Sequence, residues 1–587
     1  MNQANAAEEP AGAAALDALF QPFNRSDAPG LVVGVAQHGR PLYRRGFGLA
    51  SIELGVANTP WTRMRIGSTS KHFTCLAALL LAEEGKLDID TGVRRYFPGL
   101  QTPLGEPTLR QFMTHTSGYR CYMDIASLAD GMAIQPPGQA LSAQLRQGSA
   151  NFAPGEKMIY CNGGYHLLSL AIEQAAGMPF EQFLKERIFA PLGMNDTASV
   201  PNDFEIHPGM ATLHVPAPPG QGSGWRRGIF PTEEIRGEGA MISTLADMLA
   251  WLAHLRSPGK VVGSEAAWRQ MLTPATLNNG MVNPYGLGLM LHGYRGVDVV
   301  HHAGGVVGGT CQMITVPSQA LDIVIITNGA PANPIELGYR IIDAMLGDEV
   351  LGAASEKPAA ERYRPLLGAR YHAGGSGLVF GFAEAAEGRL GLSFLDSAPV
   401  ALTEQDGLLR LGFEDMAVGP LELPLAELAG VPAGASSGAG AAGTSTRAAA
   451  EADADAQAEP AAAAEAPPAL TLSEAGHAER YERLPATPPS LAEAGQTLLG
   501  RYRAADLDAD AVMHFEGEQL LLEVFGPYGR DVMTLEAFSD RVFGLRFGGE
   551  HPPMRGVLSA AQPDGPVTAF RINTPRTRNL RFERVAQ

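Results

Sequence analysis

Cysteine is scarce. Four residues, at 75, 121, 161 and 311, serve a chain of 587. Their spacing fits neither a zinc site nor a disulfide framework, and so few thiols suit a reducing compartment. Charge is also sparse: charged residues make up 18% of the chain, with 62 Asp and Glu against 44 Lys and Arg, a net charge of -18. No basic tract with interleaved aromatics occurs, which argues against a general nucleic-acid binder. No apolar run reaches the length of a membrane span. Met1–Pro10 carries no basic region followed by an apolar core, so it does not read as a secretory signal. A cytoplasmic protein without membrane contact is the expectation. Hydrophobic residues reach 45%, enough for large cores. The length implies about two to four domains.

One stretch organises the rest: Met64-Arg-Ile-Gly-Ser68-Thr-Ser-Lys71-His-Phe-Thr-Cys-Leu-Ala-Ala-Leu-Leu80. It turns at Gly67. Phe73, Leu76, Ala77, Leu80 and Leu81 then recur at helical spacing, which predicts a helix over 68–84. Ser68 and Lys71, three apart, share its first turn. The positive end of the helix disfavours a protonated lysine and favours negative charge on a serine oxygen. A desolvated Lys71 can then act as base toward Ser68. The plainer reading is a helix cap beside a surface lysine.

Along the chain, 13–23 reads as a short helix that Pro22 bends or ends. Leu31–Gln37 and Pro41–Leu49 read as a hairpin. Helices follow near 106–113, from Asn162, over 179–189, over Thr244–Leu255 with Thr244 or Asp247 at its cap, and at Trp268–Leu272. Strands return at Tyr285–Leu291, Asp298–His302, Cys311–Val316 and Leu321–Thr327, before a helix at 335–346. Strands, then many helices, then strands suggest an antiparallel sheet covered by helices. Residues 351–430 change to short β pieces and read as a small antiparallel barrel. Residues 431–490 are read as an Ala-rich, disordered linker, because the low-complexity part has almost no large apolar side chain to offset ordering. Residues 491–587 read as a second β-barrel. Leu367-Gly-Ala-Arg-Tyr and Leu499-Gly-Arg-Tyr open the two β regions alike, as a duplicated module would.

Two further motifs carry chemistry. Tyr160-Cys-Asn162 sits just before the helix start, where i and i+2 can point the same way. A Tyr there can shuttle a proton as a phenolate or when coupled to a lysine, and the Asn can hold Lys71 or a substrate amide. The alternative is a core Tyr and an Asn cap. His301-His-Ala-Gly-Gly305 follows strand-like residues. Its glycines admit a substrate close to the backbone, and the N–H groups of Gly305 and Ser68 can serve as oxyanion donors. His302 can orient substrate or help in proton transfer near pH 7.

Ser-x-x-Lys early, Tyr-x-Asn about ninety residues later and His-x-Gly late on a strand together resemble the penicillin-recognising serine hydrolases. That group includes class C β-lactamases, DD-peptidases and related esterases. The family implies an α/β β-lactamase-like catalytic domain over 1–350. Its usual third motif is Lys-Thr-Gly, whose place His302-Ala303-Gly304 takes. The His-x-Gly form and two C-terminal barrels are similar to the bacterial D-aminopeptidase branch. So are Ser70–Cys75, Tyr160–Gly163, Glu186–Pro191, Pro284–Gly288 and Gly500–Asp510. The resemblance implies an acylated Ser68, a Lys71–Tyr160 pair for base and proton return, and Asn162 positioning Lys71 and substrate. It also implies His302 and Gly304 across the cleft and an oxyanion hole from Ser68 and Gly305. No cofactor and no metal are implied. The implied partner is a small peptide or amide substrate, and the implied assembly is a homodimer.

In that branch a loop of the last barrel offers a carboxylate to the substrate amine. Its match here is 547–553, with Glu550 as the acid. Met290 and Thr310 stand where the branch has Asn and Arg, so substrate choice is the open question. The leading expectation is release of an N-terminal D-residue, D-alanine first. An esterase or D-amino-acid amidase is the nearest rival. A β-lactamase or DD-carboxypeptidase is disfavoured by the missing lysine and export signal, and a non-catalytic peptide sensor by the intact Ser68, Lys71, Tyr160 and Asn162.

Overall fold

The computed structural model describes residues 13–218, 222, 224–230, 232–411, 420–428, 465–548, 555–560 and 567–585. Six strands form the catalytic sheet: β1 (Leu31–Gln37), β2 (Arg40–Phe47), β3 (Met290–Tyr294), β4 (Val297–Val306), β5 (Gly309–Val316) and β6 (Leu321–Thr327), in the order β3-β4-β5-β6-β1-β2. Every pairing is antiparallel. β1 shows why it is central. Val32 and Ala36 enter the core under the helices, while Leu31, Val33 and Val35 enter a second core on the opposite face. A strand buried on both faces must be apolar throughout, and Leu-Val-Val-Gly-Val-Ala is.

The first face carries helices α1 (Lys71–Glu83), α2 (Tyr122–Asp130), α3 (Gln139–Leu145), α4 (Asn162–Ala176) and α5 (Leu245–Arg256). The other face is covered by Ala13–Phe20 and by α6 (Pro334–Val350). Thr244 caps α5, its hydroxyl accepting from Asp247 N at 3.4 Å. Helices α2 and α3 had no counterpart in the sequence reading. The strand expected at Tyr285–Leu291 begins only at Met290. Residues 286–289 form a tight turn closed by Gly286 N donating to Leu289 O at 2.8 Å, with Gly288 at φ 75.

The second barrel is closed. Its eight strands run from Gly500–Ala504 to Leu580–Arg584, and the last pairs with the first through Tyr502 and Arg584. The first β unit is a nine-stranded antiparallel sheet. Its two edge strands, Val400–Ala401 and Thr403–Gln405, are separated in the chain by Leu402 alone, so the sheet nearly closes on itself. Tyr371 and Tyr502, the repeated opening residues, are both buried.

The boundary of the linker is corrected here. Ala469–Glu474 and His477–Arg483, assigned to the linker by composition, are paired strands of the first β unit. The signal is a short period-2 pattern that buries Leu470, Leu472 and Tyr481. Residues 429–464 lie outside the described residues.

The second barrel docks on the catalytic domain. Tyr122, Ile125, Leu128 and Ala129 of α2 and Ala140 and Ala143 of α3 share one hydrophobic core with barrel residues such as Leu507, Leu520 and Phe543. Among the described residues no helix is long and apolar enough to cross a membrane.

Candidate active site

Ser68 lies in a short 3-10 turn, Gly67–Ser70, that runs into α1. The turn is clamped against β4. A Cβ on Gly304 would sit 1.9 Å from Ile66 O and 3.1 Å from Ser68 N, and one on Gly67 would sit 2.8 Å from Gly305 N. Only glycine at both places lets the backbones meet, and the meeting brings the N–H groups of Ser68 and Gly305 into one strip. Ser68 is not a helix cap. Neither the turn nor α1 has a side-chain cap bond, and Ser70 Oγ instead donates to Gly67 O at 2.6 Å.

Lys71 is fully buried. Its Nζ donates to Ser68 Oγ at 3.0 Å, Asn162 Oδ1 at 2.7 Å and Glu238 O at 2.6 Å. Nζ also stands 4.7 Å from the centre of the Tyr160 ring. Burial brings the ammonium pKa down to about 7, with the charge of Glu238 resisting and that of Arg576 assisting. A lysine poised there is a competent base at neutral pH.

The Tyr160 hydroxyl is buried and makes no hydrogen bond of standard geometry, although Ser68 is close enough to draw its pKa down somewhat. Burial outweighs this and holds the phenol well above its ordinary range. Tyr160 is therefore a neutral acid at pH 7, not a phenolate. Its ring stacks on His115 at 4.0 Å, and Met290 packs in the same small cluster.

His302 differs from expectation. Its Nε2 meets the Tyr285 hydroxyl at 2.9 Å and its Nδ1 meets Ala303 O at 2.5 Å. A backbone carbonyl only accepts, so Nδ1 carries the proton and Nε2 receives that of Tyr285. Burial, then the Lys71 charge, lower the imidazole pKa to about 3. Both nitrogens are occupied and the ring is neutral, so proton transfer near pH 7 is not available to it. Its ring centre lies 6.2 Å from that of Tyr160.

Three residues that the sequence reading did not single out belong to this region. Glu238 offers Lys71 its backbone oxygen, and its carboxylate is buried. Burial opposes that charge, but His166 (Nδ1 at 3.2 Å) and the Tyr122 hydroxyl (2.6 Å) outweigh it and keep the carboxyl pKa below its usual range. Asp124, on α2, has Oδ2 shut from solvent without a hydrogen-bond partner. Burial raises its pKa and the Arg576 charge opposes the rise. Met123, next to it, has its sulfur 3.6 Å from Asn162 Nδ2. The third residue is Arg576, from the second barrel, whose guanidinium carbon lies 5.0 Å from the Tyr160 ring centre. The expected 547–553 loop cannot be compared, because Glu550 and 549–554 lie outside the described residues. An apolar recess of ≈ 150 Å³ beside Met123 is lined by Tyr122, Ala126, Met132, Phe230 and Val307.

The arrangement predicts a pH dependence. A Lys71 that serves as base must be deprotonated, so kcat/KM is expected to rise as pH passes about 7. Glu238→Gln removes a charge that holds the proton on Lys71. The midpoint of that limb should move to lower pH in the variant. A pH–rate profile of both proteins checks this, and an unmoved or raised midpoint would contradict it.

The Beta-lactamase family description matches residues 16–345, more than half of the chain. The chain belongs to the β-lactamase family. With Ser68 beside a buried lysine on the family fold, it is a serine hydrolase. Among its relatives, the D-aminopeptidase of Brucella canis is 28% identical over 371 residues, spanning 62% of this chain and 68% of that protein. The D-aminopeptidase of Brucella anthropi is 28% identical over 373 residues, with the same shares. Among solved structures, the octameric penicillin-binding protein homologue from Pyrococcus abyssi is similar in fold. Its TM-score is 0.52 at 18% identity, over 97% of this chain and 99% of that one. That likeness extends past the β-lactamase domain into the barrels.

Proposed function

We propose that this serine hydrolase is an aminopeptidase that releases an N-terminal D-amino acid, D-alanine first among them, from peptides, amides or esters. Lys71 takes the Ser68 proton across their 3.0 Å hydrogen bond as Oγ attacks the carbonyl carbon. The N–H groups of Ser68 and Gly305 receive the developing oxyanion. The bond to the leaving nitrogen breaks as Tyr160, a neutral phenol, gives that nitrogen a proton, and the Lys71 ammonium restores the phenol. Water then hydrolyses the ester on Ser68 by the reverse of these transfers. Asn162 keeps the Lys71 amine aimed at Ser68.

The observation that carries the free-amine part is Asp124, a half-buried carboxylate whose Oδ2 is shut from solvent and unpartnered, one residue from Met123, which touches Asn162. A substrate α-ammonium would supply the missing partner. The names of the Brucella relatives support D configuration. The apolar recess beside Met123 offers the side chain of the released residue more room than a methyl group needs.

The test compares D-alanine, L-alanine and N-acetyl-D-alanine p-nitroanilides. Preference for the free-amine D substrate is expected. Asp124→Asn should cut that preference over the N-acetyl substrate by about tenfold or more, the worth of a charge-assisted hydrogen bond. Indifference to amine and chirality, with Ser68 still required, would shift the reading to an esterase or broad amidase.

A further inference from the structure

Residues 574–579 link the last two strands of the second barrel and bring Arg576 to within 5.0 Å of the Tyr160 ring centre. Their backbone is held from several sides. Arg120, fully buried, donates to Arg578 O from Nε at 3.1 Å and from Nη2 at 2.9 Å, and pairs with Asp506 at 2.9 Å. Asn151 donates to Arg576 O at 3.0 Å and accepts from Arg578 N at 2.8 Å. Asn579 N donates to Asn573 Oδ1 at 2.8 Å, and Arg578 pairs with Glu474 of the first β unit at 3.1 Å.

Arg576 is the cation of this clamped loop that lies over Tyr160. Its guanidinium has no hydrogen bond or ion pair among the described residues; it lies over the face of the Tyr160 ring, and its charge acts on Asp124 and Lys71 without bonding to either. A planar, five-donor cation fixed by its backbone and left without an acceptor is a receptor built for a carboxylate. His302 of the third motif offers no cation of its own, since both its ring nitrogens are bonded within the protein.

Position decides which part of a substrate it meets. Tyr160 protonates the leaving nitrogen, so a group held over the Tyr160 ring belongs to the leaving side of the scissile bond. In a dipeptide the carboxylate belongs to the same residue as that nitrogen, its carbon two bonds and about 2.5 Å away. The geometry points to Arg576 as the residue that binds the C-terminal carboxylate of a short peptide substrate, making free peptides preferred over the corresponding amides. This rests on the aminopeptidase reading above and names its substrate class.

The experiment measures kcat/KM for D-alanyl-glycine and D-alanyl-glycinamide, with D-alanine p-nitroanilide as a substrate lacking the carboxylate. Wild type, Arg576→Gln and Arg576→Lys are compared. Wild type is expected to favour the acid over the amide by about 10- to 100-fold, the range of a hydrogen-bonded charge. Arg576→Gln should bring the ratio near one, and Arg576→Lys should retain part of it. The loop is held through backbone atoms, so the exchanges are expected to leave the melting temperature within a few degrees. A wild-type ratio near one, or an equal ratio in Arg576→Gln, overturns the assignment. If the anilide is cleaved and the ratio is near one, Arg576 alone is misassigned. If no D-alanyl substrate is cleaved, the aminopeptidase reading fails and the Arg576 role falls with it.

Discussion

Replacing Ser68 with Ala is expected to lower kcat/KM by about 10⁴-fold or more, because no other nucleophile can form the acyl intermediate and only binding and the oxyanion donors remain. The structure makes this a clean test. Ser68 caps no helix, and its hydroxyl meets Lys71 at 3.0 Å. Lys71 keeps its bonds to Asn162 and Glu238 when the hydroxyl is gone. The variant should therefore melt close to wild type. Intact-mass analysis should show one adduct of a fluorophosphonate on wild type and none on Ser68→Ala. Retained turnover, or labelling of the variant, would remove Ser68 from the nucleophile role.

The legible part of this site was the part written in local spacing. Ser68 and Lys71 share a helical turn whatever surrounds them. Tyr160 and Asn162 sit two apart at a helix start, and Gly304 and Gly305 mark a place where backbones touch. Each pattern is enforced within a few residues, so sequence alone exposes it. The residues that tune the site come together only through the fold. Glu238 reaches Lys71 with a backbone oxygen, which no side-chain motif can announce. Asp124 lies on α2, a helix absent from the sequence reading, and Arg576 arrives from the far end of the chain. Tyr285 looked like a strand residue, yet its hydroxyl occupies His302 and so takes away the proton-transfer role the imidazole seemed suited for.

The same contrast holds for the architecture. The antiparallel sheet under helices follows from strand signals at both ends of the first 350 residues, and β1 carries the two-sided apolar pattern of a buried strand. The second barrel was readable because its strands are regular and its turns polar. The first β unit is completed by strands beyond the Ala-rich segment, and composition hid them. Leu470 and Leu472 alternate with Thr471 and Ser473 over too few residues to stand out from their surroundings. The described contacts give the second barrel a place in the catalytic account: it packs on α2, which carries Asp124, and its Arg576 lies over Tyr160.

Lys71 provides the second large effect. Lys71→Met is expected to lower kcat/KM by about 10²- to 10⁴-fold, the usual worth of a positioned general base, with Ser68 still in place. Loss of activity in that variant alone would not separate a base from a fixed positive charge. Lys71→Arg does. A guanidinium keeps the charge but does not lose its proton in the accessible pH range. A base role therefore predicts that Arg is as damaging as Met, and that the rise in kcat/KM through about pH 7 disappears from whatever activity remains. A purely electrostatic role predicts that Arg keeps turnover within about tenfold of wild type. Melting temperatures read out the structural side. Met leaves Asn162 Oδ1 and Glu238 O without their donor, about 1–3 kcal/mol for each buried acceptor, while it removes the desolvation cost of a buried ammonium. The two terms oppose, so the variant should remain folded, and its kinetics then report on proton transfer from Ser68.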